Sequence, residues 1–514
     1  MNFIRSLSLS IWKFLKRNRW YVLIIVLSIP AIWDLLLPGY FNMHDDLQIL
    51  RLQQFHQCFL DGQIPCRWIP DAGYGYGYPM FNYYPPLPYF VAEFFNVIGF
   101  NLFWSIKIMF ILAMVLPGLT MFLLAKKFFG KLGGFLSALF YIYAPYHSVD
   151  IYVRGAANEA WALVWFPLIF YNAYQLIQTN KKKYIPFLAL SFAALLMSHN
   201  VMVLIFSPLL ALWVFYWLAV TKKWQKLKPL ILSGVWSVGI AAFFFLVVVF
   251  EKSLVHVESM TVGYFNFLAH FADLNQMFIS RFWGYGGSIW GPQDDMAFPI
   301  GHFHWIVSLF VSGITAVLLL KDYLRERNLN VLFKNPIKLI LVSLWPLTLI
   351  YIFLIHPRSI WFWQNIPLLY YAQFPWRLLA IPAFTFSFVA GGLIYLLKNI
   401  DKKKSVLAIV TFGLIASTII WNLPFFKIEK QMTVARPEKL SGLLWELQTT
   451  GGIFDYLPKT AEKPPGGPAH QYPLYIEGIG GIKNYQSGTD WLEFTAQVAS
   501  DSALVQVPVF DYPN

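Results

Sequence analysis

A histidine and two adjacent aspartates, His44, Asp45 and Asp46, stand a few residues past a long apolar run. Other clusters of reactive residue types recur along the chain. PYHSVDIYVRGAANEAW carries His147, Asp150, Arg154 and Glu159, and MSHN ends in His199 and Asn200. Asp294, Asp295, His302 and His304 share one stretch, and Arg358 and Arg377 flank another. Carboxylates and imidazoles pass protons or hold metals, and guanidinium groups hold anions. The tyrosines of GYGYGYP and FNYYPP (Tyr74, Tyr76, Tyr78, Tyr83 and Tyr84) offer ring faces to a sugar. Each cluster also has a plainer reading. Asp45 and Asp46 suit a helix cap, Asp150 and Arg154 suit a helical pair at a spacing of four, and Glu159 suits the first turn of a helix. His199 suits a hydrogen-bonded packing role, and the tyrosines suit an aromatic belt at a membrane boundary. The two histidines at 302 and 304, with Asp294 and Asp295, could hold a divalent metal, although their spacing is not a zinc pattern. No other cofactor is suggested.

These residues have to be positioned by elements that belong in a membrane. The chain has 514 residues, of which 58% are hydrophobic and 13% charged, against about 25% charged in soluble domains. Apolar runs near 20–38, 103–125, 132–146, 160–178, 184–198, 201–220, 229–250, 305–321, 337–355, 378–398 and 405–424 predict about eleven transmembrane helices. The net charge of +13 reads as loop lysines and arginines rather than a nucleic-acid surface. They cluster at 16–19, 126–131, 181–183, 222–228, 321–327 and 398–404, and placing all of these in the cytoplasm sets the direction of every span. The N-terminus is then cytoplasmic. The stretch 85–100 is short and proline-rich at its start and carries Glu93, so it is expected to lie along the outer surface rather than cross. The outside receives 39–102, 147–159, the tip at 198–200, 251–304, 356–377 and everything after about 425. All the reactive clusters fall at that one level. A transporter would place its charges near the midplane on repeated, interrupted helices, and the chain has neither feature. A site at one face suits chemistry on a lipid-borne substrate whose head group lies there. Cys58 and Cys66 share the first outer loop and could bridge in an oxidising compartment.

Beyond about residue 425 the chain turns polar. A proline and glycine linker at 461–473 precedes alternating stretches at 491–499 and 503–513, which predict strands. Two or three strands cannot bury a core alone. Because Asn514 follows directly on a strand, a truncated version of a longer protein is expected.

The first-loop stretch GQIPCRWIPDAGYGYGYPMFNYYPPLPYF (62–90) resembles bacterial integral membrane proteins labelled 6-pyruvoyl-tetrahydropterin-synthase-related. So do APYHSVDIYVRGAANEAWA (144–162), SHN (198–200), FWGYGGSIWGPQDDMAFPIG (282–301) and QFPWRLL (373–379). The layout is also similar to GT-C glycosyltransferases, including YfhO-like proteins and oligosaccharyl- and mannosyltransferases. The resemblance implies an all-α polytopic fold at 1–425 with a large first outer loop, and a small extracytoplasmic β-rich domain at 426–514. It implies transfer of a sugar from a polyprenyl-phosphate donor to a lipid or glycan acceptor at the outer face of the plasma membrane. The acid after the first span, here Asp46 or Asp45, would activate the acceptor. Asp46 is favoured, since repulsion between neighbouring carboxylates raises one of their pKa values toward neutral. Arg377, with Arg154 as second candidate, would hold the lipid phosphate through its planar fork. Glu159, Asp150, His199, Asn200, Tyr83 and Tyr84 complete the expected substrate-binding set. The alternative reading is a non-catalytic lipid-carrier binder or transporter of the cell envelope.

Overall fold

The computed structural model describes residues 16–289, 291, 294–400, 403–432 and 436–512. Every apolar run of the sequence is helical. Among the described residues eight helices are long and apolar enough to cross a membrane, or nine if one bent pair counts as a span. The chain is a helical multi-span membrane protein with only small sheets.

Helix α1 (Arg19–Leu36) leads into a two-residue strand β1 (Tyr40–Phe41) and the first loop, which contains α2 (Gln48–Leu60) and α3 (Leu87–Val97). Eleven residues rise about 16 Å, half the thickness of a bilayer core, so α3 does not cross. Its Glu93 is buried and pairs with His56 at 2.7 Å, while Phe94 and Val97 on the other face are exposed. The helix is clipped onto α2 by this pair and, as the sequence predicts, is too short to be a span. Cys58 and Cys66 are joined.

Helix α4 (Leu102–Ile142) has 41 residues, twice what a bilayer needs. It is a hairpin. Gly130 breaks it with φ 74° and ψ −177°, a conformation open only to glycine. The returning arm packs so closely that a Cβ on Gly134 would stand 2.8 Å from the Lys126 Cα. The two runs at 103–125 and 132–146 are thus two antiparallel arms with Lys126, Lys127 and Lys131 at the tip. The remaining long segments are α5 (Ala157–Gln178), α6 (Tyr184–Leu196), α7 (Asn200–Thr221), α8 (Leu227–Ile240) with α9 (Ala242–Glu251), α10 (His302–Glu326), α11 (Pro336–Ile355), α12 (Pro375–Lys398) and α13 (Lys404–Asn422). Most of α12 and α5 is buried (94% and 78% of the span), against 28% for α1, α11 and α13. The two buried helices therefore form the centre, and the others keep a lipid-facing side. Two expectations are corrected. The run at 184–198 forms a helix of only 13 residues, short of a span. The run at 229–250 is not a straight span but bends by 81° between α8 and α9. The bend falls at Gly239–Ala242, where small side chains leave the backbone free to turn. The end of α9 is then tied to the first loop by the Tyr83 hydroxyl, which donates to the Glu251 carbonyl at 3.1 Å.

The tail differs in part from the β-rich reading. Residues 442–450 form helix α14 (Gly442–Thr450), and two separate ribbons follow. Strand β2 (Gln431–Met432) pairs antiparallel with β1. Then β3 (Leu474–Glu477) pairs with β6 (Leu504–Gln506), and β4 (Gly480–Ser487) with β5 (Leu492–Val498). The ribbons expose Ile476, Ile479 and Leu504 and so have no core of their own. They lean on the first loop, where the Asp61 carboxylate accepts from the Thr489 amide and hydroxyl at 2.6 and 2.8 Å.

Candidate active site

The loop between α4 and α5 turns through a short helix at 145–148 and one wide turn at 149–153 before Gly155, whose φ of 63° redirects the chain into α5. A side chain at Gly155 would collide with Met43. This path brings Arg154 back over the first turn of α5. Its Nη1 donates to Asp150 Oδ1 at 2.6 Å and to Glu159 Oε2 at 2.7 Å. Arg377, from the start of α12, sets its Nε 3.3 Å from the same Glu159 oxygen, and its Nη1 donates to Gln373 Oε1 at 2.5 Å and the Ala372 carbonyl at 3.1 Å. Tyr146 donates its hydroxyl to the other Glu159 oxygen. The His199 Nε2 lies 4.0 Å from Glu159, while its Nδ1 accepts from the Met202 amide at 3.2 Å and caps α7. That cap requires an unprotonated Nδ1, and burial, with Arg377 and Arg154 nearby, pulls the imidazole down to about 3 against the pull of Glu159. Burial and the neighbouring Glu159 raise the Asp150 carboxyl well above its ordinary range despite Arg154. Two guanidinium groups, those of Arg154 and Arg377, meet at one Glu159 oxygen. Trp376 and Phe374 stack 4.9 Å apart, with the Arg154 and Arg377 guanidinium carbons 4.5 Å over Trp376 and Phe374 respectively.

The facing wall comes from the first loop. The amide of Asp45 donates to the Arg154 carbonyl at 2.9 Å, which registers the two loops. Asp45 Oδ2 accepts from Arg51 at 2.6 Å, Gln48 at 3.2 Å and the Tyr84 hydroxyl at 3.3 Å. Between the walls lies a cavity of about 520 Å³. Of the residues named from the sequence, Asp45, Tyr83, Tyr84, Arg154, Glu159, His199, Asn200 and Arg377 line it. Asp150 lies behind Arg154. Asp46, on which the sequence reading set the base, does not line it. Asp46 turns toward Lys439 and pairs with it, and burial raises its carboxyl. His44 of the first-loop cluster also lines it, the tail contributes Asp455 and Tyr456, and Tyr264, Gln373 and Trp376 are among the lining residues not foreseen. No local pattern marks Asp455, because only the folded tail brings it there. Gln373 and Trp376 lie in QFPWRLL and could have been taken with Arg377. The residues considered for a metal are separated. His304 and His302 bond the Phe140 and Ile279 carbonyls at 2.6 and 3.1 Å, and Asp294 accepts from the Met296 amide at 3.1 Å. Among the described residues no three histidine, cysteine, aspartate or glutamate side chains gather as metal ligands would.

Residues 84–267 match the family model described as dolichyl-phosphate-mannose-protein mannosyltransferase. That stretch contains Arg154, Glu159 and His199 but neither Asp45 nor Arg377. A protein of Lactococcus lactis subsp. cremoris (strain MG1363), itself described as uncharacterized, is 25% identical over 248 residues, 45% of this chain and 39% of its own length. Among solved structures, ArnT from Cupriavidus metallidurans bound to undecaprenyl phosphate is similar at 13% identity with a TM-score of 0.39, over 78% of this chain and 64% of that one. The oligosaccharyltransferase of Archaeoglobus fulgidus is similar at 11% identity with a TM-score of 0.45, over 90% and 62%. The chain spans less than two thirds of the length of each of these three. Over residues 84–267 the chain is similar to that mannosyltransferase family, the same direction in which the loop motifs point.

Proposed function

We propose that the protein transfers a sugar from a polyprenyl-phosphate donor to an acceptor hydroxyl at the extracytoplasmic face of the plasma membrane. The observation that carries this reading is the pair of arginines, Arg154 and Arg377, sharing Glu159 on one wall of the cavity, with the Asp45 carboxylate on the other. The donor phosphate sits against the arginines and the aromatic pair. The acceptor oxygen attacks the anomeric carbon as the bond from that carbon to the phosphate oxygen breaks, and one displacement inverts the centre. The acceptor proton passes to Asp45, which Arg51 and Tyr84 orient. The leaving lipid phosphate gains one negative charge, and the guanidinium groups of Arg154 and Arg377 stabilise it where it develops. Asp45 takes the base role in preference to Asp46 because its carboxylate faces the cavity. No step calls for a metal.

Purified protein supplied with a radiolabelled polyprenyl-phosphate sugar and a glycan acceptor should release lipid phosphate and label the acceptor. Asp45→Asn should cut turnover by at least about 10²-fold while Asp46→Asn retains most of it. Tight donor binding without turnover in the unmodified protein would leave a lipid-carrier binder in place of an enzyme.

A further inference from the structure

A second cleft lies between the first loop and the β4–β5 ribbon, about 510 Å³ in volume and continuous with a neighbouring hollow through Pro70, Asp71 and 487–489. Four aromatic side chains line it: Trp68, Tyr76, Tyr485 and Trp491. Its polar groups include the carboxylates of Asp71, which accepts from Gln54 at 2.6 Å, and Asp490 in the cleft and Asp61 in the hollow, beside His470, Gln471, Ser487 and Thr489. Among the described residues, neither lining contains a lysine or arginine, in contrast with the arginine-lined cavity.

The walls are built in advance. Asp61 takes the amide and hydroxyl of Thr489, and Gln63 donates to that hydroxyl at 2.9 Å, so the ribbon tip is fastened to the loop. The Gly488 amide closes the tip by donating to the Trp491 carbonyl at 2.9 Å. A side chain at Gly488 would strike the Trp491 indole, so glycine lets the ring lie flat across the turn with its face open; Trp491 is 47% exposed. On the opposite side Trp68 packs across Gly77 and edge-on to Tyr512 at 5.4 Å. Tyr512 in turn donates to the carbonyl of Tyr456, which lines the main cavity. Trp68, Tyr512 and Tyr456 thus link the lining of one space to that of the other.

Ring faces beside unneutralised carboxylates select a ligand with an apolar face and a donor-rich edge. A pyranose has both, as its C–H face stacks on an aromatic ring and its hydroxyls donate to carboxylates. Phosphorylated or uronic glycans would meet like charge, and a proline-rich peptide brings few N–H groups for acceptors to use. We propose that this cleft binds a neutral oligosaccharide. On the glycosyltransferase reading above, it holds the acceptor glycan beyond the sugar unit that reacts.

The test uses the full chain in lipid nanodiscs without donor. Neutral tetrasaccharides of glucose, mannose and N-acetylglucosamine, their phosphorylated counterparts and a proline-rich decapeptide are titrated by saturation-transfer NMR. At least one neutral tetrasaccharide should bind more tightly than any acidic glycan or the peptide. Trp491→Ala, a change at an exposed position, should weaken it at least tenfold, Trp491→Phe should recover most of the loss, and Arg377→Lys should leave it unchanged. Absence of neutral-glycan binding, indifference to Trp491→Ala, or preference for the acidic glycans or the peptide would overturn the proposal. The transfer assay is read separately. Trp491-dependent binding without transfer removes the reaction and keeps the cleft, whereas transfer without such binding does the reverse.

Discussion

Glu159 is the residue on which the candidate site turns. It is buried and meets Arg154, Arg377, Tyr146 and His199. Removing one partner from a buried charge set costs about 3–5 kcal/mol, because the charges left behind have no compensation. Glu159→Gln is therefore expected to lower the thermal midpoint sharply in detergent, more than Arg377→Lys, which keeps the charge count. A midpoint within a degree of the parent would mean that the arginines do not depend on it. His199 provides a pH-dependent term. Its folded value of about 3 lies below the ordinary 6.5, so the unfolded chain binds the extra proton between those limits. Its contribution to stability is full above pH 6.5 and declines as pH falls toward 3. His199→Asn keeps a capping acceptor and removes the titration, so melts between pH 7 and 4.5 should show a shallower acid loss; an unchanged slope would exclude His199 as the source. The RGAANE motif made Arg154 and Glu159 legible as site residues, whereas their ion pair was not, since the spacing of four offered Asp150 as the partner of Arg154. Nor was the choice between Asp45 and Asp46, since it depends on a backbone bond to Arg154 and on Lys439, 393 residues away.

At the level of elements, the α4 hairpin separates two uses of glycine. A Cβ on Gly130 would meet nothing within 4 Å, so Gly130→Ala costs only backbone strain, about 1–3 kcal/mol for a glycine-only conformation. At Gly134 the neighbour is the Lys126 backbone, which cannot give way without parting the arms. Gly134→Val should thus abolish accumulation of monodisperse protein in fluorescence-detected size exclusion, while Gly130→Ala should only reduce its melting temperature. Equal behaviour of the two variants would argue against a tight hairpin. Hydropathy located both arms because each is a continuous apolar run interrupted by lysines. It did not locate the α8–α9 bend, since summing apolarity over 229–250 carries no information about direction. Nor did it find α14, whose nine residues are too few to register as an apolar run of spanning length.

For the whole molecule, the basic clusters gather at one end. Lys126 donates to the Tyr21 hydroxyl beside the start of α1 at 2.6 Å, Lys223 and Lys226 bond the backbone of 178–179 at 3.1 and 3.0 Å, and Tyr216 reaches the Pro336 carbonyl at 2.5 Å. Asp45, Arg154, His199 and Arg377 line a single cavity at the opposite ends of their helices. Positive charge marks the cytoplasmic side, and a joined Cys58–Cys66 pair in the first loop suits an oxidising compartment. Both arguments favour the proposed placement of the cavity and tail outside, which labelling tests. The described chain has no free thiol, so an introduced cysteine reports alone. In intact cells Lys182→Cys should resist an impermeant maleimide and react only after permeabilisation, while His470→Cys in the exposed tail should label at once. The reverse pattern would turn the molecule over and put the cavity in the cytoplasm. The outer-face transfer would then fall, because the donor head group and the arginines would stand on opposite sides of the bilayer. The cavity geometry would remain and would call for a cytoplasmic substrate.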